Sequence, residues 1–205
     1  MLITKMERIK KEFYRIDLDY EFAFALYSKE IKMFHLEEGI EIEESVAFTI
    51  EKEIVLKRAK KKAMLLLKHG DRTREELRKR LIEASFSASM AEQAITYVES
   101  YGYIDDNRYM ENYIVFKKDG KSKKQIEMEL IQKGIKKEEV TAYLEENEWD
   151  EGEVLRKLVE KRLQGKVPCE PKEMQKHYSY FLRKGYSYSL VRRVVEEYLE
   201  EIEIE

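Results

Sequence analysis

Cysteine, proline and glycine are all scarce in this 205-residue chain, at one, two and eight residues. A single cysteine, Cys169, excludes an intrachain disulfide and fits a reduced cytosol. No stretch approaches the roughly 20 apolar residues of a membrane span, and the start, residues 1–13, lacks the apolar core of a secretory signal. A cytoplasmic, soluble protein is expected. Glycine-rich phosphate-binding loops are absent. His35, His69 and His177 lie far apart, and neither a serine nor Cys169 sits in a nucleophile motif. Asp105 and Asp106 have no third carboxylate or histidine at a useful spacing, and Asp is a preferred helix N-cap. No enzymatic activity, no metal and no cofactor are expected.

What is present points to helix. Charged residues make up 40 % of the chain and hydrophobic residues 43 %, and the apolar ones recur with helical spacing. The net charge of −3 conceals a segregation. Residues 1–56 hold 8 basic and 13 acidic side chains, residues 57–137 hold 20 and 12, and residues 138–205 hold 11 and 17. The segment charges are therefore −5, +8 and −6. A basic middle between acidic ends suits a protein that touches phosphate or an acidic surface in one region only, although solvated helix faces give the same counts.

Residues 12–27 alternate aromatic and β-branched side chains and predict a hairpin turning near Asp19 and Tyr20, without the glycine such turns favour. Ser28 then caps a short helix ending at Gly39. Residues 1–51 are thus a small α+β extension.

From residue 52 the period is helical, and the same construction occurs three times. Thr73 with Glu76 has capping-box spacing, followed by Leu77 and Leu81; Ser122 with Gln125 repeats it, followed by Ile126 and Leu130. Phe86 and Ile95 match Ile135 and Leu144 in the second copy and Tyr186 and Val195 in the third, where Pro171 replaces the cap as a first helical residue. A further helix precedes each pair. The expected units are residues 52–101, 102–148 and 149–205, three helices each, the last with an acidic tail that frays. The fold class is mainly α: tandem three-helix, helix-turn-helix-like repeats in an elongated curved array, with the N-terminal hairpin and helix.

Two basic clusters occupy matching places. Arg72, Arg74, Arg78, Lys79 and Arg80 lie at the start of one copy's second helix, and Lys117, Lys118, Lys121, Lys123 and Lys124 lead into the next copy's, with Lys133 near its end. Helix starts tolerate anions, so these are candidate partner- or DNA-binding residues. Tyr109, Tyr113 and Phe116 follow an i, i+4, i+7 stripe and read as core in preference to base-stacking groups. The stretch from Tyr101 to Tyr109 reads as a structural junction: Gly102 ends one unit, Tyr103 and Ile104 bury, Asp105 or Asp106 caps the next helix, and Tyr109 follows on it.

The motifs R-T-R-E-E-L at Arg72 to Leu77, G-Y-I-D-D-N-R-Y at Gly102 to Tyr109, L-I-Q-K-G-I at Leu130 to Ile135 and F-L-R-K-G-Y-S at Phe181 to Ser187 resemble the RecX regulatory proteins, modulators of RecA recombinase. The resemblance covers about residues 50 to 200, and the hairpin extension is similar to that of Gram-positive members. Met110 stands where the family usually carries alanine. The resemblance implies a monomeric regulator that binds the RecA filament in its groove, meets single- or double-stranded DNA weakly or through the filament, and changes recombination, ATPase and co-protease activity in DNA repair and the SOS response. The alternatives are a stand-alone helix-turn-helix DNA-binding protein and a helical interaction scaffold.

Overall fold

The computed structural model describes residues 1–147, 149–164 and 171–204, with the side chains of 203 and 204 not included. Cys169 lies outside the described residues. The chain divides into two compact units, Met1–Asp106 and Asn107–Glu205.

The first unit opens with a three-stranded antiparallel sheet, β1 (Ile3–Lys10), β2 (Phe13–Leu18) and β3 (Glu21–Tyr27), in the order β1-β2-β3. The alternating segment forms β2 and β3, but the sheet has one strand more than the sequence pattern predicts. β1 escapes notice because five of its eight residues are exposed and four of those are charged, so it lacks a clear apolar period. Its presence also accounts for the missing turn glycine. Asp19 and Tyr20 both take positive φ, 49° and 70°. The turn is held from β1: Leu2 donates its main-chain N–H to Asp19 Oδ1 at 2.8 Å, and Tyr20 donates its own to Thr4 Oγ1 at 3.0 Å.

Helix α1 (Ser28–Met33) begins at Ser28, so Ser28 is its first helical residue and not its cap. The capping carboxylate belongs to Glu30, which accepts the Tyr27 N–H at 2.8 Å. Helix α2 (Glu44–Thr49) runs without a break through a π-helical segment, Ile50–Leu56, into α3 (Lys57–Lys68). The helical rod therefore starts before residue 52. The sheet and α2 to α3 share one core with α4 (Arg74–Glu83) and α5 (Ala88–Glu99), in which Ile16, Phe24, Leu26, Ile50, Leu77, Leu81 and Ile95 are fully enclosed.

The second unit holds α6 (Asp106–Lys117, entering from the first unit at Asp106), α7 (Lys123–Gln132), α8 (Lys137–Glu146), α9 (Glu151–Leu163), α10 (Pro171–Arg183) and α11 (Tyr188–Ile204). It has two cores. Met110, Ile114, Ile126, Leu130, Ile135, Val140 and Leu144 form one; Leu155, Val159, Phe181, Tyr186, Val191 and Val195 belong to the other. Met110 is accommodated there, almost wholly buried. The acidic tail stays helical to Ile204 rather than fraying earlier, and Arg156 of α9 pairs with Glu201 at 2.6 Å.

The repeated positions meet the same fate in every copy. Leu81, Leu130 and Phe181 are fully buried, and each accepts at its carbonyl an N–H from the residue five positions on, Phe86, Ile135 and Tyr186, at 3.1 to 3.3 Å. The residue before that donor has positive φ in all three: Ser85 at 67°, Gly134 at 93° and Gly185 at 91°. This is a Schellman closure, which fixes the tight turn from the second helix of each set into the third.

Candidate partner-binding surface

The two basic helix starts are built alike but populated differently. At α4, Thr73 Oγ1 accepts the Glu76 N–H at 3.1 Å while Glu76 Oε2 accepts the Thr73 N–H at 3.3 Å, a complete capping box. At α7, Ser122 Oγ accepts the Gln125 N–H at 3.1 Å, but the Gln125 amide turns away to donate to Glu129 Oε1 at 3.2 Å, so only half the box forms. Thr73 and Ser122 are both fully buried. An acidic residue at the start of the second helix further along the chain, α6 for α4 and α9 for α7, completes each start. Arg74 donates its main-chain N–H to Asp106 Oδ1 at 2.8 Å, and Lys123 donates its own to Glu151 Oε1 at 2.7 Å. Such carboxylates also suit the positive end of the helix dipole.

The side chains then diverge. Around α4 the cations are largely spent within the chain. Arg74 pairs with Glu92 and Glu99, Arg78 and Lys79 share Glu75, and Arg80 meets Glu83 at 3.4 Å. The hydrogen bond from Arg78 is the chief reason that Glu75 titrates below its ordinary value. Arg72 is half-buried, and its Nε has no hydrogen-bond partner among the described residues.

Around α6 and α7 the opposite holds. Lys117, Lys118, Lys123 and Lys124 form no ion pair with any described carboxylate. Lys117 lies 5.9 Å from the Tyr113 ring centre and 5.2 Å from that of Phe116, and Lys123 lies 5.0 Å from that of Trp149. Lys133 sits over Tyr109 and Tyr113 at 5.4 and 5.5 Å. Lys124 is exposed beside a groove that also carries Glu127, Glu145 and Glu151. Lys121 is the committed member, donating to both Glu129 oxygens at 2.5 and 2.6 Å.

Glu129 anchors this region. It also accepts from the Tyr113 hydroxyl at 2.6 Å. Burial by itself would raise the Glu129 carboxyl, yet the bonds from Lys121, Tyr113 and Gln125 outweigh it and hold the group below its ordinary value. Tyr113 is pushed up to about 12, first by burial and then by its bond to the carboxylate. Tyr109 and Tyr113 stack with centres 6.0 Å apart and planes 17° from parallel.

Two sequence expectations about aromatics are corrected. Phe116 is not core: it is 82 % exposed, next to an exposed Val115. The buried stripe of α6 is Met110 and Ile114, and two residues beyond Ile114 lies more than half a turn around the helix. Tyr103 is not buried at the junction either. It is 53 % exposed and stacks on Tyr101 at 6.0 Å, while its neighbour Ile104 is enclosed. Gly102, at φ 70°, closes α5: it donates to the Glu99 carbonyl at 2.8 Å, and Tyr103 donates to that of Val98 at 3.1 Å. Asp106 opens α6, and its bond to the Arg74 N–H makes it a cap for the preceding set's helix. Asp105 sits just before the helix.

Among the described residues there is no group of three or more potential metal-ligating side chains, and no helix is long and apolar enough to cross a membrane.

Comparison with known proteins agrees with this architecture. Residues 150–195 match the family model described as RecX, third three-helix domain. The chain is 29 % identical over 208 residues to the regulatory protein RecX of Clostridium acetobutylicum, covering 97 % of both chains, and 28 % identical over 211 residues to that of Clostridioides difficile, covering 97 % and 96 %. A crystal structure of regulatory protein RecX superposes with a TM-score of 0.60 at 24 % identity, over 95 % of this chain and 98 % of that one. RecX from Lactobacillus salivarius superposes with a TM-score of 0.54 at 20 % identity, over 70 % of this chain and 96 % of that one.

Proposed function

We propose that this chain, which is similar to RecX regulatory proteins over nearly its whole length, is a cytoplasmic, monomeric, non-catalytic modulator of RecA recombinase. It binds the RecA filament on DNA and alters its ATPase, strand exchange and co-protease activity in recombination and the SOS response. The contact runs along the end of α6 and the start of α7. The observation that carries this reading is Phe116, an 82 % exposed aromatic flanked by Val115 and by Lys117 and Lys118, cations with no carboxylate partner among the described residues. Exposed apolar side chains set among cations mark interaction surfaces, and buried aromatic anchors carry much of the energy of such contacts. Arg74, Arg78 and Lys79 have a lesser part, because their intramolecular ion pairs would have to break first.

Cosedimentation of the chain with RecA on single-stranded DNA in the presence of ATP tests the proposal. Stoichiometric capture that Phe116→Ala weakens supports it; a chain that stays in the supernatant counts against it.

The unpaired lysines favour one second reading, a phosphate backbone as the sole partner. Binding would then fall with salt, by about 0.9 in the log–log slope for each duplex phosphate neutralised. The acidic ends of the chain oppose that reading for free duplex DNA at α6 and α7.

A further inference from the structure

The first unit contains a second cationic and aromatic site, formed by the N-terminal sheet and α3 around a cleft of about 450 Å3. Its floor is aromatic. Phe13 on β2 and Tyr27 on β3 are cross-strand partners with ring centres 4.7 Å apart, and Tyr27 is 43 % exposed. Its rim is cationic. Lys10 ends β1 and Lys11 follows it in the β1–β2 turn, and Arg58 and Lys62 lie one turn apart on α3.

Arg58 is already committed. It donates to the Ala25 carbonyl at 3.0 Å, pairs with Glu30 at 2.5 Å and lies over the Phe13 and Tyr27 rings at 5.8 and 4.9 Å, so it holds the floor in place. Lys10, Lys11 and Lys62 make no ion pair with a described carboxylate, and the cleft's own acidic residue is Glu12. Three uncommitted cations against one carboxylate leave a net charge of +2 around two ring faces.

A ligand with flat rings and phosphates in alternation matches this lining. We propose that the cleft binds single-stranded nucleic acid, with a base resting on Tyr27 and Phe13 and adjacent phosphates reaching Lys10, Lys11 and Lys62. Stacking on an aromatic floor is tolerant of base identity, so sequence preference is weak. A strand fits better than a free nucleotide because the cations belong to two separate elements and no glycine-rich loop lines the cleft to wrap a single phosphate. The proposal does not depend on RecA.

The test uses the full chain, without RecA, and a short fluorescein-labelled oligothymidylate followed by anisotropy across a salt series. The chain binds the oligonucleotide. Tyr27→Ala lowers affinity by about tenfold. Lys10→Glu with Lys11→Glu reduces the log–log salt slope by about 0.7 for each lost phosphate contact. Lys61→Glu, an exposed control on α3, changes neither. A 5-iodouracil-substituted strand photocrosslinks to the peptide carrying Phe13 or Tyr27. The proposal is overturned if no binding occurs at low salt, if the cleft variants bind as the parent does, if the crosslink maps outside the cleft, or if thymidine monophosphate displaces the strand at equal concentration. Failure here with successful cosedimentation on RecA would remove the cleft and leave the regulatory reading standing.

Discussion

A Cβ added to Gly185 would lie 2.7 Å from Ser122 Oγ, closer than real side chains approach. That hydroxyl is already engaged: it caps α7 and donates to the Lys184 carbonyl at 2.6 Å. The turn between α10 and α11 is thus seated on the start of α7, and Gly185 is required both by that closeness and by its φ of 91°. Gly185→Ala is expected to destabilise the chain by about 2 kcal/mol or more, through αL strain plus the clash. Gly102→Ala, at φ 70° with open space around the new Cβ, should cost only about 1 kcal/mol. Urea unfolding of the two variants compares them, and equal losses would deny the Gly185 contact any weight.

The first copy carries Ser85 where the others have glycine, at φ 67°. A serine there pays the left-handed strain without a compensating side-chain role. Ser85→Gly is therefore predicted to stabilise the chain by about 0.5 to 1 kcal/mol, seen as a higher melting temperature. A lower one would show that the Ser85 side chain contributes to the turn.

Asp106 and Glu151 hold equivalent main-chain N–H groups at 2.8 and 2.7 Å. Removing either acceptor by alanine should cost about 1 kcal/mol, as for a lost cap. Asp106→Asn and Glu151→Gln keep an acceptor oxygen and should retain most of that. If Asp106→Ala abolished RecA binding with unfolding unchanged, Asp106 would be a contact residue and not a structural one.

The Glu129 network gives stability a pH dependence at both ends. Its carboxyl is lowered on folding, so its contribution is present above the ordinary carboxyl value of 4.5 and is lost as pH falls through the lower folded value. Tyr113 is raised from 10.0 to about 12, so its contribution is present below pH 10 and lost as pH rises toward about 12. Urea midpoints across the two ranges should show the acid loss reduced in Glu129→Gln and the alkaline loss reduced in Tyr113→Phe. Parent-like curves for both variants would mean that the network contributes nothing.

How much of this could be read in the sequence varies by element. The repeat was legible because apolar spacing and capping residues recur with nearly constant offset, and Leu81, Leu130 and Phe181 are all buried as that spacing implies. β1 was not, because a strand exposed along most of its length has no apolar period, and a non-glycine turn held by β1 leaves no local signal. The pairing of the cations was equally hidden. Arg74 reaches Glu92 and Glu99 on α5, carboxylates distant in sequence, whereas Lys117 and Lys118 meet none among the described residues. Sequence composition gave the two clusters equal standing; three-dimensional placement separates them. Phe116 reads as core in the sequence because residues 109, 113 and 116 share helical spacing, whereas the buried stripe is the adjacent one of Met110 and Ile114.

The two clusters should also respond differently to charge reversal. Arg74→Glu places a carboxylate beside Glu92 and Glu99 and is expected to lower stability by about 1 kcal/mol or more. Lys117→Glu with Lys118→Glu breaks no ion pair to a described residue and should leave unfolding within about 0.5 kcal/mol of the parent.

The most direct measurement is RecA ATPase activity on single-stranded DNA, followed together with filament length, as the parent chain or the Lys117→Glu, Lys118→Glu variant is added up to stoichiometric amounts. The account predicts that the parent changes both quantities and that the variant, equally folded, changes them much less. A parent chain without effect, or a variant that acts as strongly as the parent, would contradict it.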